Sequence, residues 1–242
     1  MVCIDALKVT ERGMMRNYQE SEVGSMDQEI EKTIHYVKRE LMGQDGSHDW
    51  FHVERVWMNS IRIGRKEGGD MDVIQLAALL HDIADWKYYG GNEQTGSEKA
   101  RSWLERLQVD LTVIDHVCEI IRDLSYKGAG TPTVMNTKEG MIVQDADRLD
   151  AIGAVGIARA FAYGGYKQQE LYNPGILPKL HRSFEEYKQS QTTTINHFYE
   201  KLLLLKERMN TATARVMAEE RHEFMIYFLK TFQRECDLDY PQ

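Results

Sequence analysis

Proline is almost missing from this chain. There are four in 242 residues, Pro132, Pro174, Pro178 and Pro241, and the first 131 positions hold none. A proline removes a backbone donor and clashes with the preceding helical turn, so long proline-free stretches are free to be helical. The apolar residues use that freedom. Ile30, Ile34, Val37 and Leu41 recur at intervals of three and four, as do Val53, Val56, Trp57 and Ile61. Val73, Leu76, Ala77, Leu79, Leu80 and Ile83 make a stretch that is apolar nearly all round, which predicts a buried helix. Further stripes run through Ala100–Leu107, Ile114–Ile121, Met141–Phe161, Ile195–Leu205 and Ala212–Phe232. Glycine pairs and clusters separate them, and no segment alternates like a strand with hairpin turns. The expectation is an all-α helical bundle of about eight or nine helices, without the internal repeat of a solenoid. Residues 27–242 read as one domain. Residues 1–26 lack a strong stripe and read as a flexible extension. The segment Tyr163–Thr194, with Gly164, Gly165, Asn173, Pro174, Gly175 and Pro178, reads as long and irregular, and loops of that length in a domain usually serve function.

Composition narrows what such a bundle can do. The net charge of −8 argues against broad nucleic-acid binding or an anionic membrane surface, although a local basic pocket can still hold a phosphate. No run of eighteen apolar residues is present to cross a membrane. The first 26 residues carry Asp5, Glu11, Glu20 and Glu22 and no apolar core, unlike a secretory or transit peptide. Three scattered cysteines, Cys3, Cys118 and Cys236, give neither a disulfide frame nor a CxxC site, so the expected location is the reducing cytoplasm.

The dipeptide His81-Asp82 closes the most apolar helix, so both polar side chains arrive at the end of a buried element and need a partner there. His-Asp occurs a second time at His48-Asp49, where Ser47 or Asp49 reads as a helix N-cap. The company of the later pair sets it apart. His52 lies in His52-Val53-Glu54-Arg55-Val56, and a third helix carries Gln144-Asp145-Ala146-Asp147-Arg148-Leu149-Asp150. One His, one His-Asp pair and one later Asp supply two nitrogens and two oxygens. That set suits Mn, Fe, Co, Ni or Mg better than a structural zinc, and leaves positions on an octahedral ion for water and substrate.

The strings HDWFHVERVW, AALLHDIADWK, IVQDADRLDAIGAVGIARAFAYGG and INHFYEKLLLLK resemble the HD-domain metal-dependent phosphohydrolases, over about residues 27–235. The resemblance implies that His52, His81, Asp82 and Asp147 hold one divalent ion, with Asp145 and Asp150 as neighbouring alternatives for the last position. Asp150, three residues after Asp147 on the same helix face, could instead support a ligand. It also implies that Asp85, at the position where some relatives carry a water-activating acid, acts as a base. Phosphate needs compensating charge: Arg55, one turn after His52, is the first candidate, followed by Lys87, Lys127 and Arg148. The implied reaction is hydrolysis of a nucleotide or other small phosphate ester or anhydride, by a monomer or homodimer. The rival classes are an HD-type di-iron oxygenase and a nucleotide-binding regulator with an inactive site. Dinuclear relatives carry two extra histidines between the dyad and the last Asp, and this chain has only His116 there, which reads as structural. Cys118 and the 12 methionines read as packing.

Overall fold

Nine α-helices and two short 3-10 turns form among the described residues, where the apolar stripes run. The structure is a computed structural model and describes residues 26–42, 49–84, 95–124, 134–179 and 192–236. The helices are α1 (Asp27–Glu40), α2 (Trp50–Glu67), α3 (Met71–Leu80), α4 (Thr95–Arg106), α5 (Leu111–Asp123), α6 (Lys138–Asp150), α7 (Gly153–Tyr166), α8 (Thr194–Glu200) and α9 (Ala212–Cys236). Among the described residues no strand occurs, so the all-α expectation holds. Of the expected extension, residues 1–25 lie outside the described residues.

Short polar side chains start these helices. Asp49, Asp70, Asp110, Thr137 and Thr193 cap α2, α3, α5, α6 and α8, each accepting a bond from a backbone N–H that the helix cannot satisfy itself. The apolar helix α3 lies at the centre. Ile74, Leu76, Ala77, Ala78, Leu79 and Leu80 have no exposed surface, and α3 touches α1, α2, α5 and α6. A helix this apolar has no stable place in water: each fully buried aliphatic side chain contributes about 1.5–3 kcal/mol. The most extensive contact between helices joins α2 to α6, and α9 packs across α2, α6 and α7. Thus α2, α6 and the end of α3 meet, and these are the elements that carry His52, Asp147 and the His81-Asp82 pair.

Three readings of the sequence need correction. The stripe Met141–Phe161 is two helices, because the chain breaks at Ala151–Ile152. Ile152 is extended and Gly153 has φ +77°, which a side chain tolerates poorly. Apolar periodicity cannot register such a break, since both halves bury their faces in one core. The stripe Ile195–Leu205 also divides: α8 stops at Glu200, Lys201 leaves helical geometry with φ −141° and ψ −58°, and 3-10 turns follow. Finally, Tyr163–Tyr166 belong to α7, so irregular chain begins only at Lys167.

A Cβ on Gly153 would lie 2.9 Å from Cγ of Arg221 on α9, and the backbone would remain strained even after that side chain moved. Gly153→Ala is therefore expected to cost about 1–3 kcal/mol of stability. Urea unfolding followed by circular dichroism measures it, and an unchanged midpoint would show that the α6–α7 break does not depend on glycine.

Candidate metal centre

His52 sits in the first turn of α2. Its backbone N–H is held 2.9 Å from the Asp49 cap, and its ring is almost completely buried. The ring Nδ1 lies 2.8 Å from Oδ2 of Asp150, and a carboxylate can only accept, so Nδ1 carries the proton. His81 follows the last residue of α3. Its Nδ1 lies 2.8 Å from the Ala78 carbonyl, again an acceptor, so the same tautomer is imposed. In both neutral rings the lone pair is then on Nε2, and the two Nε2 atoms face each other at 3.3 Å. Oδ1 of Asp147 lies 3.5 Å from Nε2 of His52 and 4.0 Å from Nε2 of His81. Oδ2 of Asp82 lies 3.6 Å from Nε2 of His52.

These atoms are all electron-pair donors aimed at one place, an arrangement that neutral protein groups alone leave repulsive. A cation satisfies all of them. The geometry fits one quantitatively. The radius of the circle through three points is the product of the sides divided by four times the area. For sides of 3.3, 3.5 and 4.0 Å that radius is about 2.1 Å, a normal bond length from a divalent metal to nitrogen or oxygen. Among the described residues, His52, His81 and Asp147 form a group able to hold a metal ion, and Asp82 adjoins it.

The support behind His52 is a buried carboxylate. Asp150 accepts from Nδ1 of His52, from Nε and Nη2 of Arg55 at 2.6 and 3.0 Å, and from Nη1 of Arg159 at 2.7 Å. Burial alone would raise its pKa. The bonds from His52 and Arg55 and the charge of Arg159 outweigh that and hold the carboxyl well below its usual range. The Asp150 bond in turn raises the pKa of Arg55. A carboxylate on the far nitrogen of a metal-binding histidine orients the ring and increases its basicity as a ligand.

Other sequence candidates fall in different places. Asp145, an alternative for the last position, faces away from the metal group. It accepts from the backbone N–H and Nδ2 of Asn210 and from the N–H and hydroxyl of Thr211, at 2.8–2.9 Å, and so anchors the chain leading into α9. Burial pushes its carboxyl up despite those four bonds. Arg55 reaches the site through Asp150, which takes two of its five N–H bonds. Arg148 is buried and gives Nη1 to the Arg208 carbonyl, and it also lines a small cavity beside Asp147. Asp85, Lys87 and Lys127 lie outside the described residues. His116 stands apart from the metal group, 3.7 Å from Oε2 of Glu139, a residue that also binds the N–H of Asp70. Sequence reasoning missed Arg159. It sits on α7, beyond the break at Gly153, and no spacing rule links it to Asp150.

Comparison with known proteins agrees with this layout. The HD domain family model matches residues 50–152, a span that contains His52, His81, Asp82 and Asp147. The uncharacterized protein YpgQ of Bacillus subtilis is 38% identical over 201 residues, covering 83% of this chain and 90% of YpgQ. The chain belongs to the HD-domain superfamily. A crystal structure of an HD-superfamily hydrolase from Bacillus thuringiensis is 42% identical with a TM-score of 0.69, covering 88% of this HD protein and 98% of that chain. The crystal structure of YpgQ in complex with ADP gives 32% identity and a TM-score of 0.66, covering 85% and 97%.

Two outcomes follow from Asp150. Asp150→Asn is expected to weaken Mn²⁺ binding about 10- to 100-fold, measured by calorimetry, because His52 loses its ionic support. The carboxyl is held below its ordinary 3.8 in the folded protein, so its stabilisation is present above that pH and is lost as the pH falls. Urea midpoints measured from pH 5 to pH 3 should fall more steeply for the wild type than for Asp150→Asn. Parallel curves would show that Asp150 does not link folding to acid.

Proposed function

We propose that this HD protein is a divalent-metal-dependent phosphohydrolase acting on a nucleotide or another small phosphate ester or anhydride. The observation that carries the proposal is the convergence of the His52, His81 and Asp147 donor atoms around a point at metal-bond distance, with Asp82 adjoining them. The mixed nitrogen and oxygen set suits one ion of Mn, Co, Ni, Fe or Mg. A divalent ion held there supplies Lewis acidity and makes water easier to deprotonate. His52 and His81 would bind through Nε2, since each has its Nδ1 proton engaged by an acceptor.

The remaining roles are assigned to residues around that set. Asp85, three residues after Asp82, is proposed to accept a proton from water. The exposed part of Arg55, together with Lys87, Lys127 and Arg148, is proposed to neutralise the phosphate. Arg148 is supported by its place in the cavity wall next to Asp147. A nucleotide is favoured among small phosphates because the related YpgQ has been crystallised with ADP. The negative net charge fits a small ligand better than a nucleic acid. No helix among the described residues is long and apolar enough to cross a membrane, and a cytoplasmic enzyme, monomeric or homodimeric, is the proposed setting.

The test is a screen of nucleoside mono-, di- and triphosphates with Mn²⁺, Co²⁺, Ni²⁺ and Mg²⁺, identifying the product. Activity should vanish with a chelator and return with metal. His52→Ala and Asp82→Ala should each abolish turnover and metal binding while the helical circular-dichroism signal remains. Elemental analysis should find one ion per chain, whereas two irons would favour the oxygenase reading. Wild-type turnover in either variant would refute the assignment.

A further inference from the structure

The longest helix among the described residues has a second organised face. α9 spans 25 residues and buries Ala214, Ala218, Met225 and Leu229 against the rest of the bundle. Helical residues step round by about 100° each, which puts these four on one side. On the opposite side Val216, Glu220, Glu223, Tyr227, Lys230 and Arg234 fall within about 80° of one another, and all six are exposed. Tyr227 is 68% exposed, and Phe224, at the edge of this strip, is 49% exposed. Single apolar residues on a surface need no explanation, but these two rings sit at the centre of an ordered charge pattern. The acids Glu220 and Glu223 precede Phe224 and Tyr227, and the bases Lys230 and Arg234 follow them. Among the described residues none of these four charges is in an ion pair. The helix cannot pair them itself: Glu223 and Lys230 are seven residues and about 10 Å apart along the axis, whereas pairs on one helix form at three or four residues.

The pattern is complementary to itself. In a second copy of α9 laid antiparallel, with the two-fold axis at Tyr227, each residue faces the one equally far on the other side of Tyr227. Glu220 then meets Arg234 of the second copy, Glu223 meets Lys230 of the second copy to within one residue, and the two Tyr227 rings meet on the axis. The symmetry repeats each ion pair. A parallel arrangement would set acid on acid and base on base, so charge selects the antiparallel one. We propose that this outer face of α9 is a homodimer interface, with two copies packing α9 antiparallel about Tyr227. Exposed ion pairs are individually weak, so the rings supply most of the affinity and the charges fix direction and register. A contact along a single helix lies at the small, transient end of specific interfaces, and a dissociation constant of micromolar order is expected. None of these residues belongs to the metal group, so a dimer through α9 and the phosphohydrolase stand or fall separately.

Sedimentation velocity of the full-length protein from about 1 to about 200 µM measures the association. The wild type should pass from monomer towards dimer over that range. Tyr227→Glu places two like charges on the axis and should raise the dissociation constant at least about thirtyfold. Glu223→Lys and Lys230→Glu should each raise it about tenfold, because each change acts at two places in the dimer. The double variant, Glu223→Lys with Lys230→Glu, restores opposite charges across the interface and should return to within about threefold of the wild type. A wild type that remains monomeric at the top of the range overturns the interface. A dimer indifferent to Tyr227→Glu also overturns it, because another face then forms the contact. Single reversals that weaken the dimer with no rescue in the double variant overturn the antiparallel pairing. If a variant does not fold, the wild type still decides. Carbodiimide treatment of mixed unlabelled and heavy-isotope-labelled copies should join Glu223 of one to Lys230 of the other, read by mass spectrometry, and linkage confined to one label overturns the pairing.

Discussion

A carboxylate that has to remain ionised inside the protein holds three helices in register. Asp150 ends α6, takes its bonds from His52 and Arg55 on α2, and takes another from Arg159 on α7. Removing one partner from a buried ionic group costs about 3–5 kcal/mol, so the three donors are required together. The consequence for the site is geometric. One Asp150 oxygen fixes the His52 proton on Nδ1, and only then does Nε2 present a lone pair to His81, Asp82 and Asp147. Nearby, Arg221 from α9 donates to the Leu149 carbonyl, so the last helix is tied to the same turn.

The apolar helix α3 works in the opposite way. It carries no charged side chain from Val73 to Leu80, yet it sets where His81 and Asp82 can be. Leu76 to Leu80 are sealed in the core, and the chain turns polar at the next residue. The dyad therefore emerges where rigid packing ends and backbone donors and acceptors are no longer committed to the helix. His81 takes one of these, the Ala78 carbonyl, to fix its own tautomer. Packing places the His81 side chain and a local hydrogen bond orients it.

Charge is distributed against the average. The chain is acidic overall, yet Arg55, Arg159 and Arg221 cluster behind the metal group, and Arg148 and Lys201 share the cavity beside it. Net charge describes long-range solubility and steering, while an anion is held by the groups within hydrogen-bond reach.

Much of this was legible in the chain itself. Near-absence of proline and apolar spacing determined that it is helical, because both act through neighbours three and four residues apart. The HD strings singled out His52, His81, Asp82 and Asp147, because each is embedded in a recognisable local motif. What lay beyond reach was everything set by contacts between distant elements. Asp145 and Asp150 flank Asp147 with the same chemistry, yet one anchors Asn210 and Thr211 and the other orients His52. Arg55 has the spacing of a phosphate ligand, and two of its donors go to Asp150. The breaks at Gly153 and Lys201 left no mark on periodicity, because each pair of segments buries its apolar side in the same core. Only the tertiary structure brought Arg159 to Asp150, since burial of a charge, and the partners that compensate it, depend on the whole chain's packing and not on its local pattern.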